Sequence, residues 1–200
     1  MKADLWLPLA PLVFFGVVTA LTLLYRKIYD VRERTAEEVA PFLRTVPVRE
    51  VEHLFSAATE HFLRLNMTRE QFRRAQLQRI HLALEYVRRI SHNALIAQQW
   101  AAYEMGRARA VGNAECGHLS VDLVGAGVHC RMCSFVLRAR LHTWLFRMAF
   151  LPFLAPPSFD TLIKYGSADL LDFYGKVRST AFELGHCYGD NYQDKLAELM

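Results

Sequence analysis

No charged side chain interrupts residues 5–25, which are dominated by Leu, Val, Phe and Ala and are closed off by Asp4 and Arg26. A helix of that length rises about 32 Å, close to the roughly 30 Å hydrocarbon core of a bilayer, so the run predicts a transmembrane helix. Leu5, Phe14, Phe15 and Leu24 supply apolar bulk, while Trp6 and Tyr25 fall where aromatic rings meet the headgroup layers. Pro8 and Pro11 lie in the first turns, where proline disturbs a helix least. The apolar core of a cleaved signal peptide is shorter, about 7 to 15 residues. Residues 1–28 are therefore expected to be a retained anchor.

Beyond the anchor the apolar positions change to helical spacing. Thr35, Ala36, Glu37 and Glu38 form a candidate capping box in a linker over residues 29–47, limited by Pro41. Val51, Leu54, Phe55, Ala58, Phe62 and Leu65 predict one apolar helical face over residues 48–65. Thr68 and Gln71 make a second capping box, opening a long pattern through Phe72, Ile80, Val87, Ile90, Trp100 and Met105. Ser91, His92 and Asn93 are weak helix formers and mark an expected break. Residues 48–111 thus read as a long antiparallel helical hairpin. Glycines and Asn113 then crowd residues 112–127, where a small irregular or β-hairpin insertion is expected. An apolar helix follows over 128–155, and C-terminal helices over 158–200 with Ser158 and Ser167 as caps. The expected fold class is mainly α, a single N-terminal transmembrane helix followed by a helical bundle with that glycine-rich insertion.

Residues 144–159 combine many large apolar side chains with Pro152, Pro156 and Pro157. Arg131, Arg138, Arg140 and Arg147 precede or enter this stretch. Each arginine costs roughly 2.5 to 3.5 kcal/mol at mid-bilayer, which favours a core or interfacial helix over a second span.

The chain's net charge of +4 is uneven, basic before the insertion and acidic after Pro156. Arg26, Lys27, Arg32 and Arg34 follow the anchor and only Lys2 precedes it, so the C-terminal domain is expected in the cytoplasm of a single-pass protein. That compartment is reducing, and the four cysteines are expected as thiols or metal ligands. No nucleic-acid reading motif accompanies the arginines.

Cys116, His118, Cys130, Cys133, His186 and Cys187 form the sharpest chemical set, with zinc as the candidate cofactor. Zinc takes four such ligands in a tetrahedron, and a C-x2-C pair supplies two of them. Buried inert thiols explain the same cysteines. Two E-x-x-H motifs, Glu50 to His53 and Glu183 to His186, suggest a di-metal carboxylate site when joined by Glu85 and Glu104. His118, Ser120 and Asp122 would share one side of a strand. No nucleophile elbow, P-loop or dinucleotide fingerprint is present in the sequence. The expected function is accordingly a membrane-anchored interaction or accessory subunit of a membrane assembly, not an enzyme. Its expected partners are the lipid bilayer and a protein or second copy met through the long helices. The alternative is a metal-binding protein or metal-dependent enzyme.

Overall fold

The computed structural model describes residues 35, 39–151, 154–159, 161 and 166–187. The anchor, the expected capping box at 36–38 and the short helix expected from Asp190 lie outside these residues. Among the described residues a 3-10 turn at Ala40–Phe42 leads into five helices: α1 (Val48–Phe55), α2 (Ala57–Asn66), α3 (Arg69–Val111), α4 (Ala114–Phe150) and α5 (Ala168–His186). Among the described residues there is no strand.

α3 starts where the capping box predicts: the Gln71 N–H donates to Thr68 Oγ1, and the Gln71 side chain accepts from the Thr68 N–H at 3.0 Å. It then runs for 43 residues, about 64 Å. The expected break at Ser91 to Asn93 does not occur. Asn93 is instead fully buried, where its side chain bonds outward rather than competing with its own helix backbone. α3 stops at Gly112, whose φ of +76° is a left-handed conformation that glycine adopts without strain. Asn113 immediately caps α4, its Oδ1 accepting the Cys116 N–H at 3.1 Å.

The glycine-rich insertion expected over residues 112–127 is therefore corrected to a two-residue turn and the first turns of α4. Packing explains Gly127 better than loop chemistry does, whereas Gly125 meets nothing within 4 Å. A Cβ on Gly127 would lie 2.5 Å from Gln98 Cγ, so the absence of a side chain lets α4 approach α3. The tertiary contact outweighs the roughly 1 kcal/mol that glycine costs a helix. The long hairpin is correspondingly α3 with α4, not residues 48–111, and the apolar helix expected at 128–155 begins at Ala114.

α4 is the central element, packed along α3 on one side and α5 on the other. Val87, Ile90, Ala94, Leu123, Leu137, Leu141, Leu170, Val177 and Leu184 fill the shared core. Each such large aliphatic side chain contributes roughly 1.5 to 3 kcal/mol on burial. α4 is also the one helix among the described residues long and apolar enough to cross a membrane by length and composition. Core helices meet that same criterion, and α4 carries Arg131, Arg138, Arg140 and Arg147 along its length.

The predicted 48–65 helix divides at Ser56, whose ψ of 130° is extended. α1 buries Val51 and Phe55, as its periodicity predicts. α2 turns the other way: Glu60 is its buried residue, while Phe62 and Leu65 are 64% and 71% exposed. Polar bonds govern this reversal. The Phe159 N–H donates to Glu60 Oε2 at 2.6 Å, pinning the chain after α4 to α2. Arg79 donates to the Leu54 carbonyl at 2.6 Å and to Gln76 at 3.1 Å, with its guanidinium 4.2 Å from the Phe159 ring centroid. Burial lowers the Arg79 pKa, an effect opposed by the Glu60 charge.

Candidate functional site

Two ends of this bundle carry features that core packing leaves unused. At the first, α4 begins beside the end of α5. Glu115, His118 and Asp122 recur at helical spacing on α4 and meet Glu183, His186 and Cys187 of α5 around an open cavity of about 610 Å³, with Leu119 in its wall. Residues three and four apart share one helix face, which is why each helix presents three polar groups to the same space. Beside them Cys116 of α4 stands near enough to Cys187 to influence its thiol. Cys116 is wholly buried and Cys187 is half-buried. Burial, followed by the contact with Cys116 and the charge of Glu115, pushes the Cys187 pKa up to about 11.

The expected ligand set is thus divided. Cys116, His118, His186 and Cys187 gather at this end, whereas Cys130 lies fourteen residues further along α4, about 21 Å away. Cys130 is buried, and Cys133 is half-buried facing Asp169. Among the described residues no three His, Cys, Asp or Glu side chains converge as a set that could hold a metal ion.

The two E-x-x-H motifs read from the sequence do not meet either. Tyr174, nine residues before Glu183, bonds Asn93, whereas Glu50 accepts from Tyr86, seven residues before Asn93. At 1.5 Å per residue the motifs stand about 24 Å apart along the bundle. The Tyr86–Glu50 bond is also the main cause that raises the Tyr86 pKa. Glu85 pairs with Arg89, and buried Glu104 accepts from Trp100 Nε1 at 3.1 Å. A third motif, Glu115 to His118, went unread, and it is the one that faces Glu183 to His186 across the cavity. Its spacing gains meaning only on a helix, because glycines on either side give the segment the composition of a loop. His118, Ser120 and Asp122 do not share a strand side. On α4 His118 and Asp122 line the cavity, while Ser120 turns inward and donates to the Cys116 carbonyl at 2.7 Å.

At the opposite end α2 gives way to α3 and α4 terminates. Arg73 donates to the Met148 carbonyl there, joining the first turn of α3 to the last turn of α4. Phe146 and Phe150 pack with tilted rings, 4.4 Å between centroids, yet are 61% and 67% exposed. Phe62, Leu65, Leu151 and Leu154 are exposed too. Trp144 and Phe159, from the same apolar stretch, pack edge-on at 5.6 Å and belong to the core.

The fold and these two ends define an all-α bundle with a cavity lined by carboxylates, imidazoles and a thiol at one end and bare aromatic rings at the other. No family model matches the chain, and comparison with curated proteins and with solved structures found no match.

Proposed function

We propose that this chain is a membrane-anchored, non-enzymatic accessory subunit whose apolar end contacts another protein of a membrane assembly. The observation that carries this function is the exposure of the neighbouring Phe146 and Phe150 rings near the end of α4, with Phe62 and Leu65 of α2 also exposed. Exposed large apolar side chains grouped in this way mark interaction surfaces. The same segments of α2, α3 and α4 carry Arg64, Arg69, Arg74 and Arg147, a basic composition suited to an acidic or amphipathic partner. The charge-free run at residues 5–25 supplies the membrane tether of this reading.

A photocrosslinking amino acid placed at Phe150 of the full-length chain, followed by irradiation of intact membranes, tests the contact. A discrete protein adduct, lost when Phe146 is changed to Glu, supports the subunit. Adducts with lipid only, or none together with a lone monomer in mild detergent, overturn it.

The cavity supports a second function, metal binding, because it places two E-x-x-H motifs and Cys187 around one space. Binding would require those side chains to swing inward on the ion. Stoichiometric zinc, iron or manganese in purified full-length protein, lost in the Glu183→Gln variant with His118→Gln, supports it. Metal-free folded protein removes it.

A further inference from the structure

α3 and α5 bury one side of α4, including Leu123, Leu137 and Leu141, yet the opposite side is apolar as well. Val121, Met132, Val136, Phe146 and Phe150 fall on one line along the helix, with Phe135 beside it, and all six are between 41% and 67% exposed. Gly125, Ala139 and Thr143 fill the turns between them, and a Cβ built on Gly125 meets nothing within 4 Å. The line repeats about every 3.6 residues, so it runs straight along α4 for about 44 Å. A helix that served only its own bundle would carry polar residues on this face. The six large side chains leave on the order of 500 Å² of apolar surface in water on one copy, a size at which such patches are functional.

The distributions of charge and bulk along α4 specify what covers this face. Its carboxylates, Glu115 and Asp122, lie near its start, whereas Arg138, Arg140 and Arg147 all lie in its second half. A second α4 laid antiparallel about a two-fold axis between Phe135 and Val136 brings the acidic start of each helix to the basic end of the other. Asp122 then lies on the same flank as Arg147 of the second copy and within one turn of it. The same alignment sets Gly125 level with Phe146 of the second copy and Ala139 level with its Met132, so small residues receive large ones. A parallel pair would instead oppose Phe146 to Phe146 and Asp122 to Asp122.

We infer that two copies of this chain pair antiparallel through this face of α4. The inference rests on the subunit reading above and sharpens it, because the protein that Phe146 and Phe150 meet is then a second copy. A two-fold contact of this kind is self-complementary, each patch meeting its own twin. The six large side chains of the two copies remove about 1,000 Å² from water, and the small residues and flanking arginines carry the total into the roughly 1,200 to 2,000 Å² of a specific interface.

Full-length protein in mild detergent, sized by light scattering with the detergent mass subtracted, is expected at twice the chain mass. Single cysteines introduced on α4 and oxidised with copper phenanthroline give the orientation, with the parent chain setting the background from its own thiols. Val136→Cys, beside the axis, is expected to link to itself. Val121→Cys and Phe150→Cys each stand about 44 Å from their own copy and stay unlinked alone, but link to each other when the two variants are mixed. Val136→Glu sets two carboxylates against each other and weakens the dimer about a hundredfold, with the helix content by circular dichroism unchanged. Self-linking of Val121→Cys, a monomeric parent protein, or a dimer that Val136→Glu leaves intact overturns the inference. Labelling of lipid alone from a photocrosslinker at Val136 makes the face a membrane contact and overturns it too. A monomer whose Phe150 crosslinks to a different protein removes this inference and leaves the subunit reading standing, whereas a monomer with no protein adduct removes both.

Discussion

Gly127 of α4 lies against Gln98 of α3 so closely that an added Cβ would stand 2.5 Å from Gln98 Cγ and 3.2 Å from the Ala94 carbonyl oxygen. Gln98 in turn ties the helices together, accepting from Arg131 at 2.9 Å and donating to the Val124 carbonyl at 3.3 Å. The Gly127→Ala change gains about 1 kcal/mol of helix propensity but crowds a backbone oxygen and a bonded side chain. Net destabilisation of about 1 to 2 kcal/mol is expected from urea unfolding of the detergent-solubilised protein. The Gly125→Ala change, with nothing within 4 Å of the new carbon, is expected to stabilise by about 0.5 to 1 kcal/mol. Equal effects at the two sites would contradict the close approach.

Asn93 holds the segment before α1 onto the middle of α3. Its Oδ1 accepts the Arg44 N–H at 2.8 Å, and its Nδ2 donates to the Arg44 carbonyl at 2.7 Å and to Tyr174 Oη at 3.0 Å. The Asn93→Ala change leaves buried backbone and phenol groups without these bonds, for a loss of about 2 to 4 kcal/mol. Limited proteolysis should then cut residues 39–46 well before the hairpin. Unchanged protection of that segment would show that Asn93 does not hold it.

Tyr174 sits in the core of α5, where burial raises its pKa to about 12. Its ordinary value is about 10, so an unfolded chain ionises first as pH rises and binds fewer protons than the native state. Stability is then expected to fall by about 2 kcal/mol between pH 10 and pH 12, with the contribution intact below pH 10. The Tyr174→Phe variant should show a shallower decline over that interval in thermal melts followed by circular dichroism. A decline identical to that of the parent protein would assign the alkaline loss to other groups.

Phe146 and Phe150 contribute little to the fold because their rings are mostly in water. The double change to Ser is expected to alter unfolding free energy by less than about 1 kcal/mol. By contrast, the loss from Leu141→Ala, which is fully buried, should be about 2 to 5 kcal/mol. A large destabilisation by the phenylalanine changes would move those rings from an interaction surface into the core.

Helix type was legible wherever local chemistry and burial agreed. The Thr68 and Gln71 box and the apolar repeat through Val87, Ile90 and Ala94 all behave in the structure as their spacing predicts. Two departures share one cause, which is that distant contacts outweighed local preference. Gly117, Gly125 and Gly127 imitate a loop composition but lie within a helix packed closely on its neighbour. Phe62 and Leu65 imitate a core face, but Glu60 bonding to Phe159 rotates α2 so that they face outward. The cavity was half legible: His118, His186 and Cys187 stood in the expected ligand set, whereas Glu115 and Asp122 gained meaning only once their segment was helical.

α3 begins at the apolar end and finishes, through the Gly112 turn, at the end that holds the cavity. One unbroken helix neither stretches nor folds appreciably along its axis, so the distance between those two ends is a property of the chain, roughly 60 Å. Whatever the phenylalanines grip, the cavity is held at a set distance from it. The hairpin is in that sense a measuring rod, and shortening α3 and α4 by matching turns would reduce that distance without touching either end.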